Sequence, residues 1–575
     1  MIRQLKYLKW WEWLMVVLIM GLLVCQVICN LYLPEAMAEI GQLLYASADM
    51  SQIWMVGLKM LGYVFGILIC TIGVSFLSSI VITNLMARVR QKVFVKVNDF
   101  SMGEINHFSI ASLITRSTND ITQLQQVFSL ILTFGITAPL TAVLAIIKVV
   151  NLSSSLSYVN VVSVLVLIAL VSIIMLIAVP KFKKIQKITD QVNLVTRENL
   201  TGLKVVRAYS AEKFQEAKFE KVNEHLTRTE RFVQRVMALI DPGMTLVMSG
   251  TSLAIVWLTA YISGNDPAAI VNMGEFTQYS VQIIFSFLAL SMIFMFVPRG
   301  IVSAKRINEI LKTESSLLDG EGNIIPEEKG TIVFDNVSFR YPGADECVLK
   351  NISFTVKQGQ TIAFIGSTGS GKSTLINLIP RFYDVTEGNI YVDGINVKDY
   401  KLHDLHDKIG YVPQKGSLFR GTVTENIRYG NENATIEQVK EALDISQANF
   451  VYELDGGLDY QISQGGKNVS GGQRQRLSIA RAIVKNPEIF IFDDSFSALD
   501  YKTDKTLRMK LNKKTKNVTK VIVAQRIGTI MNADQIIVLD EGNMVGKGKH
   551  KDLLKNCQVY KEIALSQLSE EELKK

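Results

Sequence analysis

Apolar and polar positions give this chain two textures. From the N-terminus to about residue 298, long uncharged apolar stretches alternate with charged ones. From about residue 331 onward, short apolar runs alternate with polar, glycine-containing turns, the pattern of an ordinary α/β domain. Six stretches in the first half reach the ~20 apolar residues a helix needs to cross a bilayer. They cover 13–33, 60–83, 127–150, 157–179, 243–263 and 277–298. The first is too long for a signal peptide and lacks its small-residue cleavage site, so it reads as a retained helix.

Charge orients these spans. Segment 181–236 holds 13 Lys and Arg, whereas 34–59, 151–156 and 264–276 hold Lys59 alone. Basic segments stay cytoplasmic, so both termini are expected inside a plasma-membrane protein and the short loops outside. Segments 84–126 and 181–237 keep apolar residues at helical spacing among charges (Val93, Val97, Phe100; Phe214, Phe219, Val222), as helices packed in water do. A chain reversal is expected at the far end of each, near Gly103–Ala111 and Val206–Phe214, with a docking role. Lys148, near the end of the third span, invites a functional reading as an intramembrane cation. Within a turn of the outer boundary, it can equally snorkel to the headgroups. The sixth span carries Phe285, Phe287, Met292, Phe294, Met295 and Phe296, side chains that adapt to greasy molecules, though not all can face one cavity.

Composition changes this picture little. The 575 residues are 48% hydrophobic with a net charge of +8. The basic residues lie beside the spans, facing anionic lipid headgroups, and form no separate patch with interleaved aromatics, so no nucleic-acid partner is expected. Cys25, Cys29, Cys70, Cys347 and Cys557 show no metal spacing; the three in apolar spans read as small buried residues, and a reducing cytoplasm suits the rest.

The chemistry lies in the second half. Gly366-Ser367-Thr368-Gly369-Ser370-Gly371-Lys372-Ser373-Thr374 fits the P-loop pattern, between an expected strand (Thr361–Ile365) and helix (Ser373–Ile379). Backbone amides and the helix N-terminus form an anion nest there. Lys372 is expected to reach the β- and γ-phosphates of ATP, and the Ser373 hydroxyl to ligate Mg²⁺. Asp493 ends the apolar strand Ile489–Phe492, from which a carboxylate can hold Mg²⁺ through water. Ser470-Gly471-Gly472-Gln473, opening a helix, offers a hydroxyl and free amides as a second anion site. Two phosphate sites in one domain make sense if ATP is sandwiched between two such domains.

On these motifs the chain resembles ATP-binding cassette exporters of the half-transporter kind over nearly its whole length. The implied fold is multidomain: a six-helix all-α transmembrane domain (type I exporter, type IV ABC fold) and an α/β P-loop ATPase domain. Gly366–Thr374 resembles Walker A, Ile489–Asp493 Walker B, and Val469–Gln473 the signature, with Val469 for the usual leucine. Gln414 resembles the Q-loop glutamine that contacts Mg²⁺ and the attacking water. Tyr341 resembles the aromatic that stacks on adenine, and Ser497–Asp500 the D-loop, with Asp500 crossing to the opposite site. The resemblance implies two nucleotide domains closing on two ATPs, with Ser470, Gly471, Gly472 and Gln473 acting in trans.

Two departures carry a sharper expectation. Asp494 stands where the family's catalytic glutamate stands, one methylene short. Gln525 stands where the switch histidine stands and carries no positive charge. His107, His225, His403, His406 and His550 all lie elsewhere in the motif map. Gln464, where the family often has Glu, carries no inference. The chain is therefore expected to be the degenerate-site subunit of a heterodimeric exporter of hydrophobic compounds, drugs or lipids, whose partner carries the catalytic Glu and switch His. The alternatives are a slow homodimeric exporter, a peptide exporter and an ATP-binding membrane regulator. The expected domains are a transmembrane domain over 1–302, a linker over 303–330, a nucleotide-binding domain over 331–567 and a polar tail over 568–575.

Overall fold

The computed structural model describes residues 1–152, 154–263, 267–322, 326 and 328–568. Residues 569–575 of the expected tail, 153 and 264–266 of two expected outer loops, and 323–325 and 327 of the expected linker lie outside the described residues. The chain divides into two compact units. One is Met1–Lys96 with Ala111–Lys312, and the other is Val97–Ile110 with Thr313–Lys575.

The first unit is helical. Its apolar stretches lie within helices Trp10–Tyr45, Met50–Asn98, Asn119–Leu152, Ser154–Thr201, Ile240–Ser263 and Pro267–Lys312. Six helical segments among the described residues are long and apolar enough to cross a membrane. The 49 residues of Met50–Asn98 run about 73 Å at 1.5 Å per residue, more than twice a ~30 Å hydrocarbon core, so the helix continues into water. Only 17–28% of each span's most apolar window is buried within the protein, because lipid and not a protein core solvates the rest. The sixth span follows this rule: Ile283 and Ile284 are buried, while Phe285 and Met292 face outward. Lys148 is not alone. Its ammonium pairs with Glu35 and lies 4.9 Å over the Tyr32 ring, so its charge is answered from the first span.

The two long extensions end differently. The first reverses through helix Met102–Phe108, capped by Ser101 and Glu104, and belongs to the second unit. Ser101 Oγ lies 3.0 Å from Ser316 Oγ, and Asn106 Nδ2 donates to Tyr383 Oη at 3.1 Å. The second reverses through helix Leu203–Ala208 into helix Glu212–Met237. Here one expectation fails: Phe214 and Phe219, taken for the packed face, are both exposed, Phe214 by 69%. The face that helix buries is marked by Thr229 and Val233, nearer its other end, and Phe214 lies at the tip.

The second unit pairs two large sheets and carries a small one, Gly421–Thr422 with Gln461–Ile462. The four-stranded antiparallel sheet runs Leu349–Val356, Ile332–Phe339, Glu387–Val392, Ile395–Asn396 in spatial order. The six-stranded sheet runs Asn543–Gly548, Gln535–Asp540, Thr361–Gly366, Thr519–Val523, Ile489–Asp493, Ile409–Val412, parallel except at the Asn543–Gly548 edge. Side chains alternate between faces along each strand. Phe364, Ile491 and Val521 join the core under the antiparallel sheet, while Ile365, Phe492 and Ile522 join the core under helices. Burial on both faces explains why Ile489–Phe492 reads as a continuous apolar run. A third core, around Leu418, Val439, Leu477 and Val469, holds the helices Val423–Arg428, Ile436–Ile445 and Gly471–Val484 together.

Candidate functional site: the nucleotide cleft

Four neighbouring parallel strands deliver the candidate residues to one edge. Thr361–Gly366 runs into the P-loop, Thr519–Val523 toward Gln525, Ile489–Asp493 into Asp494, and Ile409–Val412 toward Gln414. Ligands of open α/β sheets bind beyond the carboxyl ends of strands, which is where these residues gather. A cleft of about 460 Å³ opens there, lined by Gly366–Gly369, Gly371–Thr374, Gln414 and Gln525, and also by Val348, Ile365, Ile563 and Gln567.

The loop needs its glycines. A Cβ on Gly366 would stand 2.0 Å from Leu539 O, and Gly371, at φ 93°, would set one 2.8 Å from Leu349 Cδ2. Lys372 opens helix Lys372–Leu378 and turns its ammonium back onto the loop. Nζ donates to Ser367 O at 2.6 Å, Gly366 O at 3.1 Å and Ser370 Oγ at 3.1 Å. Burial lowers its pKa against the upward pull of Asp494 and Asp493. Tyr341 Oη lies 2.9 Å from Thr374 Oγ1, and its ring stands edge-on to Phe339 and Tyr383.

Ser373 Oγ donates to Asp493 Oδ1 at 2.9 Å. A hydroxyl beside a carboxylate is the hard-oxygen donor set that Mg²⁺ prefers, and Gln414 stands at the same edge, so the residues fit that ion. Asp493 is 6% exposed, and burial raises its pKa, with the Asp494 charge adding to the effect.

The two departing residues touch each other. Gln525 Nε2 donates to Asp494 Oδ2 at 2.9 Å. Burial raises the Asp494 pKa, opposed by hydrogen bonds from Ser497 and Gln414. Asp494 sits at φ 45°, fixed by its N–H to Val523 O at 2.9 Å. None of the five histidines lines the cleft. His406 Nε2 lies 2.8 Å from Pro380 O and His550 Nδ1 2.7 Å from Tyr560 Oη.

The signature lies outside this cleft. Ser470 caps helix Gly471–Val484: its Oγ accepts from Gln473 N–H at 3.2 Å, and Gln473 Oε1 accepts from Ser470 N–H at 2.8 Å. This capping box occupies two of the donors expected to be free and leaves Gly471 and Gly472 at the helix mouth. A Cβ on Gly472 would stand 3.2 Å from Ala498 O, so the signature abuts the D-loop of its own domain. Asp500 caps helix Tyr501–Lys514 by accepting from Thr503 N–H at 3.0 Å.

Sequence reasoning passed over two residues. Gln475, 2% exposed, accepts from Gly416 N–H at 3.0 Å and donates to Pro413 O at 3.0 Å, tying the signature helix to the loop bearing Gln414. Gln567 reaches the cleft from the C-terminal segment. Neither carries a local signal, since both partners come from distant chain.

A P-loop site at the edge of a mostly parallel sheet, in a chain that also carries six membrane-length helices, defines a membrane-embedded, ATP-binding transporter. Residues 15–297 match the ABC transporter transmembrane region and residues 349–497 the ABC transporter domain. An ABC transporter ATP-binding protein of Mycobacterium tuberculosis is 37% identical over 558 residues, 96% of each chain. An ATP-dependent lipid A-core flippase of Haemophilus influenzae is 34% identical over 67% of this chain and 66% of its own. The solved structure of a bacterial Atm1-family ABC exporter with ATP bound superposes with a TM-score of 0.79 at 22% identity, covering 97% of this chain and 98% of that one. The chain belongs to the ABC transporter family. It has the fold of an exporter half-transporter, with one multi-pass transmembrane region and one ATP-binding domain.

Proposed function

We propose that this chain is one subunit of a heterodimeric ABC exporter that moves hydrophobic or amphipathic compounds, drugs or lipids, out across the cytoplasmic membrane. Its own site binds ATP and hydrolyses it poorly. The observation that carries this reading is the 2.9 Å bond from Gln525 Nε2 to Asp494 Oδ2. The carboxylate at the base position is one methylene short and already accepts from the Gln525 amide, so it is poorly placed to take a proton from water. A neutral carboxamide at the switch position brings no cation to charge developing on the γ-phosphate.

Ser373, Asp493 and Gln414 would hold Mg²⁺, which when bound neutralises phosphate charge. The P-loop amides and Lys372 hold the phosphates, and Tyr341 flanks the base. Ser470, Gly471, Gly472, Gln473 and Asp500 complete the partner's site, and the partner supplies the catalytic Glu and switch His. The basic extensions support termini and an ATPase domain on the inside. The flippase among the relatives supports an amphipathic cargo.

Steady-state ATP hydrolysis by the purified chain in lipid, with Mg-ATP binding measured on the same sample, tests this. Binding with negligible turnover is expected. Turnover abolished by Asp494→Asn would instead make Asp494 a working base and the protein a homodimeric exporter.

A further inference from the structure

The helix after the switch position is capped from far along the chain. Helix Ile527–Ile530 follows Arg526, whose side chain makes no cap bond. The first N–H groups of a helix need partners from outside it. Gln567, just past the C-terminal helix Gln558–Leu565, supplies one: Ile527 N–H donates to Gln567 Oε1 at 2.9 Å. The other end of the same carboxamide donates from Nε2 to Gln525 O at 2.6 Å. The two bonds grip the backbone on both sides of Arg526, so it cannot swing without breaking one of them. The C-terminal helix is itself anchored, with Tyr560 and Ala564 fully buried in the core beneath the sheet. Gln525, held in this way, points its own carboxamide at Asp494 Oδ2, 2.9 Å away.

We propose that Gln567 is a positioning residue of the nucleotide site, and that the C-terminal segment latches the switch-loop backbone so that Gln525 faces Asp494. It acts through Gln525. The proposal rests on Gln525 and Asp494 belonging to the nucleotide site, and not on that site being inactive.

The test is a double-mutant cycle on the full chain in nanodiscs of phosphatidylethanolamine and phosphatidylglycerol, reading Mg-ATP affinity and amide exchange across residues 524–531. Gln567→Ala removes both bonds and is expected to raise the Kd about five- to tenfold and to speed exchange at Ile527. Gln567→Glu keeps the acceptor for Ile527 but loses the donor to Gln525 O, so it weakens ATP binding while Ile527 stays protected. In a Gln525→Ala background the Gln567→Ala effect on Kd should fall below about twofold, because touching residues acting as a unit are not additive. An undiminished effect in that background, or an unchanged Kd in the single variants, overturns the proposal. If the wild-type chain hydrolyses ATP through Asp494, the inactive-site reading falls, and the same cycle is read on kcat beside the Kd.

Discussion

At Asp494 the backbone is as unusual as the side chain. A left-handed φ of 45° is uncommon outside glycine, though Asp tolerates it better than most residues. That turn, fixed through Val523 O, aims the carboxylate at Gln525. The backbone therefore brings the two positions together, and the proposed loss of hydrolysis lies in the chemistry of their side chains. Restoring both with Asp494→Glu and Gln525→His should raise ATP turnover by about 10²-fold or more, the scale of a well-placed general base. Each single variant should give much less, since the two side chains are in contact and their effects couple. Steady-state phosphate release from the four proteins checks this, and equal additive gains would show that the two positions work separately.

Among elements, the helix Met102–Phe108 shows how a reversal becomes a docking piece. Glu104 Oε2 accepts from Ser101 N–H at 2.9 Å and Oε1 from Ser316 N–H at 3.2 Å, so one carboxylate closes the helix cap and binds the strap of chain after the sixth span. Burial pushes its pKa up, but the hydrogen bonds from Ser101 and Ser316 outweigh it and hold the group below the ordinary 4.5. A depressed carboxyl stabilises the fold above its unfolded value and loses that contribution as pH falls through the folded one. Acidification from pH 7 to below about 4.5 should therefore loosen this turn. Amide exchange, corrected for the intrinsic pH effect, should rise across 101–108 ahead of the sheet, and Glu104→Gln should remove the pH dependence. Apolar spacing foretold helices up to this turn, yet no local pattern named Ser316 or Tyr383 as its partners. The same gap misjudged Phe214, because periodicity finds a face but not how far along a helix its neighbour extends.

For the whole molecule, the second unit holds two helix starts that we propose bind anions, and they lie at different places. The P-loop helix lines the cleft with Gln414 and Gln525, while the Ser470 helix start lies outside it, against its own D-loop. On the proposed reading, this domain uses one start for its own ATP and offers the other to a second domain. In the assembled transporter, Ser470→Ala should cut turnover by roughly 10²-fold, the scale of losing one hydrogen-bond donor to developing charge. Lys372→Ala should strip ATP from this chain's site and leave a larger residue of activity. ATP hydrolysis by the co-purified pair measures both, and equal losses would sink the asymmetry.

Much of the site was legible because phosphate binding is local chemistry. Glycines that no side chain can replace, a lysine and a hydroxyl at set spacing, and a carboxylate ending an apolar strand are all written within short windows of chain. The six spans were legible for a similar reason, since a bilayer demands length and apolarity of each helix separately. What only the tertiary structure decided are contacts between residues far apart in the chain. The Asp494–Gln525 bond spans 31 positions, the Gln475 tie to the loop of Gln414 about 60, and the Gln567 latch 40 to 42. Sheet order set these meetings: Thr519–Val523 inserts between Thr361–Gly366 and Ile489–Asp493, and that insertion brings a glutamine at one strand's end to an aspartate at the next.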